Sequence, residues 1–427
     1  MAKIQKVQAR EILDSRGIPT LEAKIILDDY YHGRFAFPSS GSLSKYEAKE
    51  VRDGDHLRFG GLGVQKAASF VTQVIGPKIT GLDPQDQKEI DQILTTLDGT
   101  PNKEKLGANS ILPVSLACAQ AAAASLRVPF YWYLNQKFFK DKPPKIPTPM
   151  FDIIEGRGTE GASNLDFPEF MVVPSSVHPY SQALQIGVEV YSVLKKILIA
   201  RKDSYSQGNY GGFTPNLYTN AEALEVITEA VSATSYTPGH SLFFAVGIAA
   251  DQIRQGPLYQ ISDRANPMSA GEFIEYYKDL LNRFHILILE DPFGPDDWEG
   301  WQDLTAQVGK QTIVSGGELF AGDSERIKKG IETQAANAIS IHPAQIGTLT
   351  ETVEAIKTAQ QASWKIIVVS RLSETSNDII ADLAVSCGAD YVKFGAPARG
   401  ERVAKYNRLS EIAATLRITE IPSQKEL

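Results

Sequence analysis

The apolar positions of the chain fall first into strand-like stretches, Ile4–Ile12 and Pro19–Leu27, which turn at Asp14-Ser15-Arg16-Gly17, with a third around Gly33–Phe37. Their spacing then becomes helical over Val64–Ile79, Gln85–Leu97 and the alanine-rich Ser110–Leu126. Strands followed by a run of helices predict a small α+β unit. A proline-rich stretch from Lys140 to Pro149, with Pro143, Pro144, Pro147 and Pro149, reads as a linker. The expected division is therefore 1–139, a linker at 140–149, and a second unit at 150–427.

Past the linker, short apolar runs alternate with amphipathic segments such as Glu272–Phe284 and Leu349–Gln360. The runs are Phe170–Val173, Leu242–Val246, Ile286–Leu289, Thr312–Val314, Ala338–Ile341, Ile366–Val369 and Tyr391–Lys393. The last six recur about every 25 residues, the rhythm of successive βα units that close into a parallel barrel. Chemistry in such barrels sits just past the C-terminal strand ends. Those ends read Glu290-Asp291, Gly317-Glu318, His342, Ser370-Arg371 and Lys393. Carboxylates, an imidazole and two cations gathered at strand ends are more than a scaffold requires.

Composition narrows the classes. A net charge of -8 argues against nucleic acid or an anionic membrane surface as the main partner. Two cysteines, Cys118 and Cys387, are too few for a disulfide framework and read as small buried apolar residues. No apolar run reaches the ~20 residues of a membrane span, and the expectation is a cytoplasmic protein.

Specific segments then carry a resemblance. Arg10–Gly17, Arg52-Asp53-Gly54-Asp55, Leu106–Leu112, Glu290-Asp291-Pro292-Phe293, Gln345–Leu349, Gly395–Arg399 and the run Glu401–Asn407 resemble enolase, the phosphopyruvate hydratase of glycolysis, over essentially the whole chain. The resemblance implies an enolase-type (β/α)8 barrel in the α/β class with a small N-terminal α+β capping domain. It also implies a homodimer or an octamer of dimers. Enolase removes a weakly acidic proton beside a carboxylate, using Mg²⁺, a lysine base and a glutamate acid.

The positions that match this machinery depart from it. Of three metal-binding carboxylates, one is kept as Glu290 and a second matches Glu318, one methylene longer than the family's aspartate. The third is Gly247, so the expected Mg²⁺ site is weak. The base lysine matches His342, which could accept a proton near neutral pH or serve as a hydrogen-bonded residue of the barrel mouth. Lys393 keeps the second lysine, for catalysis or for an ion pair. The acid glutamate has become Tyr210, with a reference pKa of about 10. The neighbouring glutamate is kept as Glu169, a catalytic group or a partner for Lys393. Arg371 matches the arginine that holds substrate phosphate, and Ser42, in the lid loop, matches the family's second-metal serine. Two family histidines are absent, one from the loop Glu155–Ser163 and one from the stretch that reads Ser370-Arg371-Leu372, where the family has Ser-His-Arg-Ser.

Loss of one general acid or base typically costs about 10²–10⁴ in rate. The expectation is thus a pseudoenzyme or scaffold that has lost 2-phosphoglycerate dehydration, with association to a true enolase as one role. Two alternatives stand beside it. One is a divergent lyase acting on another carboxylate or phosphorylated acid, and the other is a phosphopyruvate hydratase with compensating residues.

Overall fold

The computed structural model describes residues 2–39, 44–157 and 163–420. β1 (Ile4–Leu13), β2 (Pro19–Leu27) and β3 (His32–Ala36) form an antiparallel sheet in that order, with Leu13 paired to Pro19 across the turn at 14–18. The predicted helix at 64–79 is not continuous: α1 (Gln65–Ser69) widens through Phe70–Ile75 before α2 (Gly76–Ile79). α3 (Gln87–Asp98), α4 (Ala108–Ser125) and α5 (Phe130–Phe138) follow.

The alanines of α4 let it lie close to the sheet. A Cβ on Gly33 of β3 would stand 2.1 Å from the Ala117 carbonyl oxygen, so only glycine allows that approach. At the start of the same helix, Asn109 closes a pair of hydrogen bonds with the Val51 backbone (2.9 Å each). This accounts for the Leu106–Leu112 segment as a splice between the helix and the chain that follows the sheet. α4 is nearly all buried. No single helix among the described residues is long and apolar enough to cross a membrane; α4 with α5, bent by 104°, passes only as a broken pair.

The barrel strands are β4 (Thr148–Glu155), β5 (Glu169–Pro174) and β6 (Leu242–Gly247), then, after a small hairpin of β7 (Arg254–Gln255) and β8 (Leu258–Tyr259), β9 (Ile286–Glu290), β10 (Ile313–Gly316), β11 (Ala338–Ile341), β12 (Lys365–Val369) and β13 (Tyr391–Gly395). They close in the order β10-β11-β12-β13-β4-β5-β6-β9. Met150, Met171, Val173, Ala245, Ile288, Ile367 and Val369 fill the interior. Around it run α6 (Tyr180–Ala200), α7 (Asn220–Ser232), α8 (Ala270–Arg283), α9 (Trp298–Val308), α10 (Ser324–Glu332), α11 (Leu349–Gln361), α12 (Ile379–Ser386) and α13 (Gly400–Glu420).

The barrel is not uniformly parallel. β5 pairs antiparallel with both β4 and β6, and among the described residues no helix stands between β4 and β5 to carry the chain back. Glu169 opens β5, so reversal of that strand brings it to the same mouth as the C-terminal ends of its neighbours.

The N-terminal unit is locked to the barrel through Asp91 on α3. One oxygen accepts from the Thr350 backbone N–H (2.9 Å) and hydroxyl (2.6 Å) at the start of α11, and the other accepts from Gln87 (3.0 Å). Burial raises this carboxyl from 3.8 to about 6 against the pull of its hydrogen bonds. A raised folded-state value means that the folded chain holds the proton longer than the unfolded chain. The stabilisation is full below about pH 4 and declines as pH rises to about 6, by up to about 3 kcal/mol. Asp91→Asn should flatten that part of the curve of denaturation midpoint against pH. An unchanged slope would remove Asp91 from the account.

Candidate active site

The mouth of the barrel holds a cavity of about 170 Å³ walled by Glu47, Glu169, Tyr210, Glu290, Asp291, Glu318, Arg371, Leu372 and Lys393, among others. Strand register explains its centre. Glu169, Gly247 and Glu290 are paired across β5, β6 and β9, so Gly247 leaves a gap between two carboxylates. The Lys393 ammonium bridges them, donating to Glu169 Oε2 (2.5 Å) and Glu290 Oε2 (2.6 Å). Burial opposes the charge on Lys393, but these two carboxylates outweigh it and hold the amine well above its ordinary range. Glu169 itself is raised by burial, with Lys393 pulling the other way.

Asp291 adopts a left-handed backbone (φ 48°), a costly conformation for a residue with a Cβ. One of its carboxylate oxygens accepts from the Gly317 (2.9 Å) and Glu318 (3.0 Å) backbone N–H groups, fixing the turn that delivers Glu318 to the cavity. Burial and the neighbouring Glu47 and Asp251 raise Glu318 to about 7.

Arg371 faces the cavity from the end of β12 and donates to Glu47 Oε2 (2.6 Å), while Glu47 Oε1 accepts from Gln345 (3.0 Å). The Arg371 Nε is buried with no hydrogen-bond partner among the described residues. Tyr210 also walls the cavity, its ring under the Arg402 guanidinium (5.0 Å), and burial drives its phenol well above the ordinary range. It is a neutral donor.

Not every expected residue meets here. His342 is buried in the barrel wall and is not among the cavity residues. Its Nδ1 accepts from the Ala344 N–H (2.9 Å), which leaves the proton on Nε2. Burial, with Arg371 and Lys405 adding to it, keeps the ring neutral. The geometry therefore gives His342 a turn-capping role in place of the proton-accepting one. Ser42 lies outside the described residues, as does the loop 158–162. Sequence reading passed over Glu47, which is 324 residues from Arg371 and joined to it only by the fold.

Mg²⁺, the metal implied by the resemblance, meets an incomplete set of ligands. A Cβ at Gly247 would stand 2.6 Å from Glu169 Oε2, so the position of the third carboxylate is filled by a neighbour that is itself bonded to Lys393. Glu290 is drawn to the same ammonium. No group of three or more Asp, Glu, His or Cys side chains among the described residues is arranged to hold a metal ion. The residues present do not fit a three-carboxylate centre.

Comparison with known proteins places this site in context. A family model described as the enolase C-terminal TIM barrel domain matches residues 144–421, and one described as the enolase N-terminal domain matches residues 4–134. A protein named enolase from Acidothermus cellulolyticus is 43% identical over 416 residues, spanning 97% of this chain and 95% of that protein. This near-full-length identity overturns the expectation of a pseudoenzyme that has lost 2-phosphoglycerate dehydration. The exchanges at Gly247, Tyr210 and His342 are changes within an enolase scaffold and do not amount to evidence of lost activity.

Proposed function

Because the chain belongs to the enolase family, a family with a general dependence on Mg²⁺, we propose that it is a carbon–oxygen hydro-lyase and that 2-phosphoglycerate is its substrate. The observation that carries this reading is a pair of cations on one cavity, Lys393 clamped by Glu169 and Glu290, and Arg371 braced by Glu47. Together they suit a small acid with two anionic groups.

Each residue has a task that its surroundings permit. Glu318, a cavity carboxylate near 7, accepts the proton α to the substrate carboxylate. Lys393 is charged beside the carboxylate as negative charge builds there, and in the elimination it gives up the proton on which the β-hydroxyl departs as water, remaining neutral until a proton returns to it. The C–O bond breaks as the C=C bond forms, and the proton taken by Glu318 returns to Lys393 to reset the site. Arg371 holds the phosphoryl group, and the Tyr210 hydroxyl donates a hydrogen bond without surrendering its proton. Glu169 keeps the ammonium in place.

The direct test is formation of phosphoenolpyruvate from 2-phosphoglycerate by the folded protein with saturating Mg²⁺, followed by ultraviolet absorbance. Turnover above the buffer rate is expected, and a folded protein with none would refute the reading. We also infer that Mg²⁺ is held weakly, on the order of a millimolar, since Gly247 offers no ligand. Calorimetric titration with Mg²⁺ checks this, and micromolar binding would count against it.

A further inference from the structure

Beneath Tyr210 lies a carboxylate that the proposed chemistry does not use. Glu155, at the end of β4, is fully buried. Its Oε2 accepts from the Tyr210 backbone N–H (3.1 Å) and its Oε1 from the Gly212 N–H (2.6 Å). Two glycines make room for it. A Cβ on Gly208 would stand 2.3 Å from Glu155 Oε2, and one on Gly212 would stand 3.1 Å from its Cγ. The Gly-Asn-Tyr-Gly-Gly run at 208–212 is thus folded around a carboxylate.

The carbonyls of the same loop are held as well. Gly208 O accepts from Arg399 (2.8 Å), Asn209 O from Arg402 (3.0 Å), Tyr210 O from the Ala396 N–H (2.8 Å) and Gly211 O from the Tyr191 hydroxyl (2.7 Å). Only the two N–H groups on Glu155 depend on a titratable acceptor. An ionised carboxylate accepts through both oxygens at once. A neutral carboxyl carries a proton on one oxygen, which must then face a donor, and one N–H loses its partner.

We propose that Glu155 is the positioning residue for Tyr210: its ionised carboxylate holds the 208–212 loop by two backbone N–H groups and so sets the Tyr210 hydroxyl in the cavity. The role of Tyr210 as a substrate donor rests on the function proposed above, whereas the hold on the loop does not. The charged and titratable groups facing Glu155 are Asp152 on its own strand, Glu169 on β5, Tyr191 on α6 and Arg402 on α13. Burial raises Glu155 to about 7, while the two N–H groups and Arg402 pull it down and Glu169 adds to the rise. Ionisation therefore falls within the range where the protein is readily studied, and loosening of the loop is expected as pH drops below about 7.

The test uses the full chain labelled with ¹⁵N at glycine and tyrosine. In the unsubstituted protein, the Gly212 and Tyr210 amide signals should shift together with a midpoint near 7, with faster exchange on the acid side. In Glu155→Gln, which has one acceptor oxygen for two donors, that titration should vanish and one amide should exchange faster at every pH. Tyr210→Phe should retain the titration, since the hold is on the backbone. Amides that do not titrate between pH 5 and 9 in the unsubstituted protein overturn the proposal, even if Glu155→Gln fails to fold. So does an unchanged titration in a folded Glu155→Gln. If no lyase activity is found but the amides titrate as stated, the functional reading fails and Glu155 keeps its role. If activity is found and the amides are silent, the reverse holds.

Discussion

Lys393→Met should lower kcat/KM for 2-phosphoglycerate by about 10³ or more, the combined and non-additive loss of a proton donor and of charge stabilisation in a water-poor site. The structural consequence is as distinctive as the kinetic one. Glu169 and Glu290 flank the gap at Gly247, and Lys393 is the cation that both of them contact. Without it, two buried carboxylates face one another with only the more distant Arg402 guanidinium to offset Glu169, and removing one member of a buried pair costs on the order of 3–5 kcal/mol. The variant can relieve that cost by taking up a proton, which places the bound proton above the usual carboxylate range. Its stability should therefore be best at low pH and fall as pH rises through the raised value. Lys393→Met with Glu169→Gln leaves a single carboxylate and should recover most of the lost stability without recovering activity. A single variant within tenfold of the parent activity would remove Lys393 from the mechanism.

The sequence disclosed much of this site because barrel chemistry follows the strand rhythm. Glu290, Glu318, Arg371 and Lys393 were all read from strand ends, and all wall the cavity. The rhythm failed at β5. An apolar run such as Phe170–Val173 has no direction in its composition, and its antiparallel pairing with β4 is a tertiary fact. Glu169 reached the mouth in the sequence reading only through the family resemblance. His342 misled for a related reason. It follows β11 directly, as a mouth residue should, but a local turn claims its Nδ1 and tucks the ring into the wall. The sequence places Glu155 at the start of the loop Glu155–Ser163 and Tyr210 at the position of the acid glutamate, in a separate segment. That the two segments meet, with the carboxylate in the space glycine leaves, is a tertiary fact with no local trace. The pseudoenzyme expectation failed on weighting. It set the exchanged acid, base and metal positions above a resemblance that runs along the whole chain, and the 43% identity to an enolase over 97% of the chain overturns it.

Arg371 is the second residue whose removal should be felt in two ways. Arg371→Met should raise KM for 2-phosphoglycerate by about 10²-fold or more, since a bidentate-capable guanidinium is lost from a buried anion site. It should also destabilise the fold, because Glu47 would remain 3% exposed with Gln345 as its one side-chain hydrogen-bond partner among the described residues, in place of two. Breaking one side of such a pair costs on the order of 3–5 kcal/mol. Glu47→Gln separates the two effects. It removes the buried charge from the N-terminal unit and leaves Arg371 free to turn its guanidinium toward the cavity, so the substrate should bind no more weakly and stability should change less than in Arg371→Met. The double variant Glu47→Gln with Arg371→Met should then regain stability relative to Arg371→Met alone while KM stays high. A double-mutant cycle in denaturant midpoints, run beside the KM values, measures both. Coupling near zero would mean that the Glu47–Arg371 contact does not tie the N-terminal unit to the barrel mouth. An unaltered KM in Arg371→Met would mean that the anionic group of the substrate is held elsewhere in the cavity.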